Sequence, residues 1–261
     1  MTIMGFTHGG AMIRLIILWL GMSQVSAWAG DGFDHSHKMF HAVLDGAVSN
    51  KGVDYAVLAE RRSQLEKYLS VVANAPVSSF GRDQKLAFWV NAYNAYTISL
   101  ILEEQMPKSI MDLDGGKVWD TRVYPVGGER LSLNAMEHQK ARPLTDGRVH
   151  AALNCASRGC PPLGTTPLRA DGDAPSMDKQ LNAAARRWVS TNAYSGSGTT
   201  VSVSLIFDWF SDDFRGWEPT EKGALNKKEA RAIAFIKAFG APVDAVSSVT
   251  FQPYDWALNK R

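Results

Sequence analysis

The chain has only two cysteines, Cys155 and Cys160, no block of like charge, and no apolar run of membrane-spanning length beyond Ala29. Twenty-eight Lys+Arg against 26 Asp+Glu leave a formal charge of +2, which excludes the electrostatic footprint of a nucleic-acid partner. The sequence also lacks a GxGxxG turn, a Walker loop, an HExxH helix and a G-x-S-x-G elbow. Dinucleotide, nucleoside triphosphate and serine-hydrolase readings therefore fall away, and no cofactor is expected. No histidine follows Cys155, so a Cys-His mechanism must draw its base from upstream, against the papain or transglutaminase order. What remains is 45% hydrophobic and 21% charged, the globular average, which excludes disorder, collagen and coiled coil.

The N-terminal segment carries an address. Arg14 precedes the apolar run Leu15 to Leu20, and small residues end in Ala27-Trp28-Ala29. This pattern predicts a secretory signal peptide over 1–29, with Met1 to Ala11 an upstream start-codon extension and cleavage before Gly30. The mature chain, 30–261, is then expected in the periplasm or secreted, with no membrane span. No linker, repeat or low-complexity tract divides it, so one domain is expected. Oligomeric state is left open. In an oxidising compartment a Cys155–Cys160 disulfide is the simplest expectation, although so short a loop gives only ~2 kcal/mol or less of stabilisation.

Periodicity predicts a helix from Asp34 to Leu44 and another over about 56–72. Asp83 to Glu104 is the longest helical signal, apolar nearly all round and therefore central. A hairpin is expected at Thr121 to Leu131 around Gly127-Gly128, then a helix capped by Ser132. Arg148 to Leu153 reads as a short strand running into a loop with both cysteines. Met177, Leu181, Ala184 and Trp188 share a helical face within 176–191. Val201, Val203 and Leu205 alternate as a strand, and Asn226 to Phe239 is a late helix closed by Gly240. The class is α+β, helix-rich with a small, mainly antiparallel sheet.

Chemistry concentrates in Val149 to Leu163. If 149–153 is extended, His150 shares a face with Ala152 and Asn154, and Cys155 lies past the strand end. A thiol there can react once an imidazole or main-chain amides lower its pKa. His138, beside Glu137, competes with His150 as base. Asn91 and Asn94 lie three apart on the apolar helix, near Trp89 and Tyr93. Buried amides need specific partners, either a catalytic histidine or a loop backbone. His35, His37 and His41 tempt a metal reading but lack a full ligand set, so no metal is expected. Asp208, Asp212 and Asp213 read as a capping and solvating cluster.

Six motifs in order, F-D-H-S (33–36), A-F-W-V-N-A-Y-N-A (87–95), L-S-L-N-A-M-E-H (131–138), H-A-A-L-N-C-A-S-R-G-C-P-P-L (150–163), W-F-S-D-D-F (209–214) and Y-D-W-A-L-N (254–259), resemble the domain-of-unknown-function 547 family. That family occurs in exported bacterial proteins and beside a leucine zipper in plants. The resemblance implies one domain and assigns its motif residues to Asn91, Asn94, Glu137, His138, His150, Cys155 and Cys160. Gln139 and Lys140 replace the apolar pair the family pattern leads one to expect.

The leading expectation is a thiol-dependent hydrolase or acyl transferase on a peptide-like or amide bond of a small-molecule or peptide ligand. Cys155 is its nucleophile, His150 or His138 its base, and Asn91 or Asn94 orients the imidazole or donates to the oxyanion. The rival is a non-catalytic binding module whose Cys155–Cys160 disulfide shapes a recognition loop lined by Trp89, Tyr93 and Trp209. Thiol–disulfide exchange is disfavoured by the CxxxxC spacing.

Overall fold

In the computed structural model, which describes residues 32–219 and 223–261, Asp34 starts the first turn by accepting from the Ser36 and Lys38 amides at 3.0 and 3.2 Å. The segment read as a signal peptide lies outside the described residues, up to its last two neighbours before Gly32. Helix α1 spans Lys38–Leu44, followed by the two-residue strands β1 (Val48–Ser49) and β2 (Gly52–Val53). The single helix expected over 56–72 is instead two, α2 (Tyr55–Glu60) and α3 (Arg62–Ala73). The break falls at Arg61, whose guanidinium turns back onto the carbonyls of Ala42, Val43 and Asp45 and satisfies the exposed end of α1.

Helix α4 spans Arg82–Glu103, and every side chain from Leu86 to Leu102 is buried, as its all-round apolar pattern predicts. It packs on α3 and on the turn that carries Glu137 and His138. After α5 (Val118–Thr121), β3 (Val123–Val126) and β4 (Glu129–Ser132) form the expected antiparallel hairpin, with Gly127 and Gly128 both at positive φ. Ser132 caps the short α6 (Leu133–Ala135) by accepting from the Ala135 amide at 3.1 Å. The chain then widens into a π-helical turn, Met136–Ala141, a rare geometry often found at functional sites.

The strand expected at 148–153 is a 3-10 helix, Gly147–Ala151. The Asp146 carboxylate accepts from the Arg148 amide at 3.0 Å, which starts a turn, and Gly147 lies so close to Phe214 that a Cβ would sit 2.4 Å from its ring. His150 therefore projects from a tight helical turn, and the shared strand face with Ala152 and Asn154 does not exist. Helix α7 (Met177–Val189) buries the expected stripe. Strands β5 (Tyr194–Ser197), β6 (Thr200–Val203) and β7 (Ser248–Phe251) form a sheet in which β5 and β6 are antiparallel and β6 and β7 parallel. Leu205 is outside the strand because α8 (Ile206–Trp209) begins there. A 3-10 segment, Ser211–Trp217, and α9 (Lys227–Ala238) complete the elements. Residues Phe33–Arg261 make one unit of α+β class, whose strands are divided among three small sheets. No helix among the described residues is long and apolar enough to cross a membrane.

Two polar clamps hold the loops around this core. Asn91 pairs both ways with the backbone of Leu168, donating to its carbonyl at 2.7 Å and accepting from its amide at 3.0 Å. Asn94 donates to the Ala152 carbonyl at 2.9 Å and accepts from the Asn154 amide at 2.9 Å. The C-terminal segment forms the other clamp. The Arg158 and Gly159 amides donate to the Ala257 and Asp255 carbonyls, each at 2.8 Å, and Asn259 bonds the Asn154 side chain at 3.0 Å. Asn259 also approaches Gly52 so closely that a Cβ there would meet its carbonyl oxygen at 2.5 Å, while Gly52 sits at φ +119.

Replacing Asn94 with alanine should cost about 2–4 kcal/mol in urea denaturation, because two buried backbone groups each lose a partner worth ~1–3 kcal/mol. A loss below about 1 kcal/mol would mean that water satisfies both groups and that Asn94 does not hold the loop.

Candidate functional site

The loop 154–160 opens onto a cleft of about 260 Å³ in which Tyr93, Glu137, His138, His150, Cys155, Cys160 and Trp209 all meet. Seven of the ten expected positions thus line one cleft. Asn91, Asn94 and Trp89 do not. The two asparagines spend their amides on loop backbone, so neither orients an imidazole nor faces an oxyanion. Trp89 is buried against Phe88 at 4.9 Å, with the Lys140 ammonium over its ring at 5.3 Å. The same Lys140 pairs with Glu129 at 2.7 Å, which explains how a lysine replaces an apolar residue after Glu137-His138 without disturbing the packing.

Cys155 is partly exposed and Cys160 buried; both are free, with their sulfurs 2.6 Å apart. A disulfide bond is about 2.05 Å long, so the bridge expected from compartment is not present. The Cys155 amide donates to the Cys160 sulfur at 2.9 Å, and Cys155 Sγ also meets Ser157 Oγ at 3.0 Å and Tyr254 Oη at 3.4 Å. Burial works against the Cys155 thiolate, but hydrogen bonds from Cys160, Ser157 and Tyr254 outweigh it and bring the pKa down to about 6. Burial and the neighbouring Cys155 push the Cys160 thiol well above its ordinary value. The groups that stabilise the thiolate are thus another thiol and two hydroxyls, not an imidazole.

Across the cleft, His150 is stacked on Phe210 with ring centroids 4.3 Å apart, and its Nε2 lies 2.8 Å from Asp213 Oδ2. Its Nδ1 faces Glu137 Oε1 at 3.9 Å. Asp213 also receives Arg142 in a two-pronged pair at 2.7 and 3.1 Å. Although burial opposes its charge, the bonds from His150 and Arg142 hold the Asp213 carboxyl well below the usual carboxylate range. Asp213 therefore carries a defined structural duty at the site, which corrects its reading as part of a solvating cluster. Glu137 moves the opposite way: burial pushes its pKa up, the His150 charge opposes this, and Cys155 adds to it. His138 bonds Arg142 through Nδ1, and burial, then the Arg142 charge, lowers its pKa.

The rim is aromatic. Trp209 lies near Tyr254 and Trp256 at 4.9 and 6.0 Å, Trp119 flanks Trp256 at 5.8 Å, and Asn134 donates to Asp120 at 2.7 Å. Asp213, Arg142, Ser157, Tyr254, Trp119 and Trp256 were not singled out from the sequence as site residues. The W-F-S-D-D-F and Y-D-W-A-L-N motifs were the available signal for three of them, since their aromatics and Asp213 converge here. The three N-terminal histidines lie elsewhere: His37 Nδ1 is 2.8 Å from Tyr68 Oη, burial drops its pKa to about 3, and His35 packs on Phe80. Among the described residues no three His, Cys, Asp or Glu side chains are placed to hold a metal ion.

No curated protein and no solved structure matches the chain. Residues 77–189, which carry α4, Glu137, both cleft histidines and both cysteines, match the model of the family described as protein of unknown function, DUF547, and so support the resemblance read from the motifs.

Proposed function

We propose that the protein is an exported thiol-dependent hydrolase or acyl transferase, with Cys155 as nucleophile, acting on a peptide-like amide or related acyl bond. The observation that carries this reading is the juxtaposition in one cleft of a stabilised thiolate and the Glu137–His150 pair, with Asp213 bonded to the far nitrogen of His150. The Cys155 thiolate attacks the acyl carbon, forming a C–S bond and a tetrahedral oxyanion. The Ser157 and Tyr254 hydroxyls, at 3.0 and 3.4 Å from the sulfur, are groups able to donate to that oxygen. Glu137, whose pKa is pushed up by burial, or His150 gives a proton to the leaving group as the C–N or C–O bond breaks. His150, then acting as base with Asp213 on Nε2, takes a proton from water or an acceptor hydroxyl, which attacks the thioester and releases Cys155. His150 is preferred to His138 as base because Asp213 orients its ring, whereas His138 Nδ1 is taken by the cationic Arg142.

One observation favours the rival reading of a ligand-binding module. Trp209 is 45% exposed at the mouth of the cleft, and solvent-facing indoles beside Tyr254 and Trp256 make a ready stacking surface. Export rests on the leader-like run Arg14 to Ala29.

Three measurements test these readings. Turnover of p-nitrophenyl acetate and of an N-acyl arylamide should vanish in Cys155→Ala and fall about 10²–10⁴-fold in Asp213→Asn, the usual worth of a positioned acid–base group. Turnover unchanged by Cys155→Ala would end the acyl-transfer reading and leave the binding module. Alkylation of Cys155 by iodoacetamide should rise with pH around a midpoint near 6 rather than the ordinary thiol value of about 8.5, because only the thiolate reacts. Intact mass of the chain recovered from the periplasm should begin at Gly30; a mass retaining Met12 to Ala29 would refute cleavage.

A further inference from the structure

A five-residue spacing is wider than that of a CxxC pair, yet the fold brings the sulfurs of Cys155 and Cys160 into contact. Ala156 adopts a left-handed conformation at φ 64, its amide held by Asn154 Oδ1 at 3.1 Å. The Cys160 amide then donates to the Ser157 carbonyl at 3.2 Å while the C-terminal segment secures Arg158 and Gly159. The loop doubles back, and the sulfurs stand 2.6 Å apart. Closing to a bond of about 2.05 Å brings the sulfurs together by only about 0.5 Å more. The two thiols are also unequal in access, since Cys155 is partly exposed and Cys160 is buried.

We infer that Cys155 and Cys160 form an exchangeable dithiol that gives the cleft a second activity, the reduction of a disulfide substrate, with Cys155 attacking and Cys160 resolving. The Cys155 thiolate attacks one sulfur of the substrate disulfide R–S–S–R. A Cys155–S–S–R bond forms, the substrate S–S bond breaks, and one thiolate leaves and takes a proton from solvent. Cys160 then loses its proton and attacks the Cys155 sulfur, closing the Cys155–Cys160 bond and expelling the second thiolate. The dithiol is oxidised by two electrons and the substrate is reduced to two thiols. The same steps run backwards when the surrounding thiol pool is reducing.

Magnitudes show which step the structure favours. Relative to an ordinary thiol, a pKa near 6 raises the thiolate fraction at pH 7 about 30-fold, while intrinsic nucleophilicity falls about tenfold over the same shift. The first attack therefore gains little. The second gains most, because contact between the sulfurs makes it unimolecular. A stabilised Cys155 thiolate is also a good leaving group, so the closed pair reopens readily. The exchange shares Cys155 with the proposed acyl chemistry but requires neither His150 nor Glu137, so the two stand or fall separately.

The test uses oxidised glutathione as the disulfide. The full chain and its Cys155→Ser, Cys160→Ser and Cys160→Ala variants are incubated at pH 7, quenched with iodoacetamide in denaturant so that any free Cys160 is also labelled, and weighed intact. The wild-type chain should take up no alkyl group and no glutathionyl group, and should release two glutathione molecules. Excess reduced glutathione should restore both alkylatable thiols. Both Cys160 variants should stop with one glutathionyl group on Cys155, and Cys155→Ser should react at least tenfold more slowly. A wild-type chain that keeps a glutathionyl adduct with Cys160 alkylatable, or that keeps both thiols alkylatable, overturns the inference. The wild-type result decides even if a Cys160 variant does not fold. A chain that closes the pair but cleaves neither ester nor amide retains the exchange and loses the acyl reading; the converse result does the reverse.

Discussion

The site depends on a polar side chain placed where helix α4 offers no water. Asn94 is 6% exposed on a helix buried from Leu86 to Leu102, so its amide must find protein partners. It finds the Ala152 carbonyl and the Asn154 amide, the two backbone groups just before Cys155. An asparagine can satisfy a carbonyl and an amide at once, which no apolar residue or single hydroxyl does with this span. The cost of burying the amide is thereby offset by fixing the loop that carries the thiol. Asn91, one turn back, repeats the arrangement at Leu168. The C-terminal residues then close the loop from its other side through Asn259, Ala257 and Asp255. Helix and tail hold the loop between them, and the cysteine contact follows from that restraint.

The opposed pKa values within the pair follow from the same restraint. Burial alone would raise both thiols. Cys160 receives no comparable set of donors and goes up, whereas Cys155 collects an S–H and two hydroxyls and comes down. Because the donors are neutral, they stabilise the thiolate without placing a cation beside it. This differs from an arrangement in which an imidazolium beside the sulfur holds the thiolate. The imidazole in turn is set by Asp213, whose second duty to Arg142 keeps that carboxylate ionised.

Much of the fold was legible because its signals are local: the all-round apolar pattern of α4, Gly127-Gly128 between alternating residues, and the stripe of α7 each specify an element without reference to anything distant. The 3-10 helix at Gly147–Ala151 was not, since the apolar run Val149 to Leu153 is compatible with a strand, and only Asp146 capping and the packing of Gly147 on Phe214 decide the matter. The break at Arg61 depends likewise on carbonyls 16 to 19 residues earlier. Residue types named the thiol, the acid and both histidines. Asp213 escaped because Asp208, Asp212 and Asp213 look alike in sequence, and only the fold turns one of them toward His150. Asn91 and Asn94 showed that they needed partners but not which ones; backbone loops that arrive from Ala152 and Leu168 supply them.

The charges in the cleft are coupled across it. Arg142 and Asp213 compensate each other at 2.7 Å, while the Cys155 thiol and the Glu137 carboxyl share the cleft without such a cation partner in hydrogen-bond contact. Cys155 and Glu137 raise each other's cost of ionisation, because two anions in a shared low-dielectric space repel. An ionised Cys155 adds to the upward push that burial gives the Glu137 pKa, and Glu137 faces His150 Nδ1. A substrate that neutralises the thiolate, by acylation or by forming a mixed disulfide, removes that repulsion and lets Glu137 release its proton more easily. In the proposed acyl chemistry, covalent capture at Cys155 is thereby linked to acid strength at Glu137, in the direction required for protonating a leaving group as the sulfur bond forms.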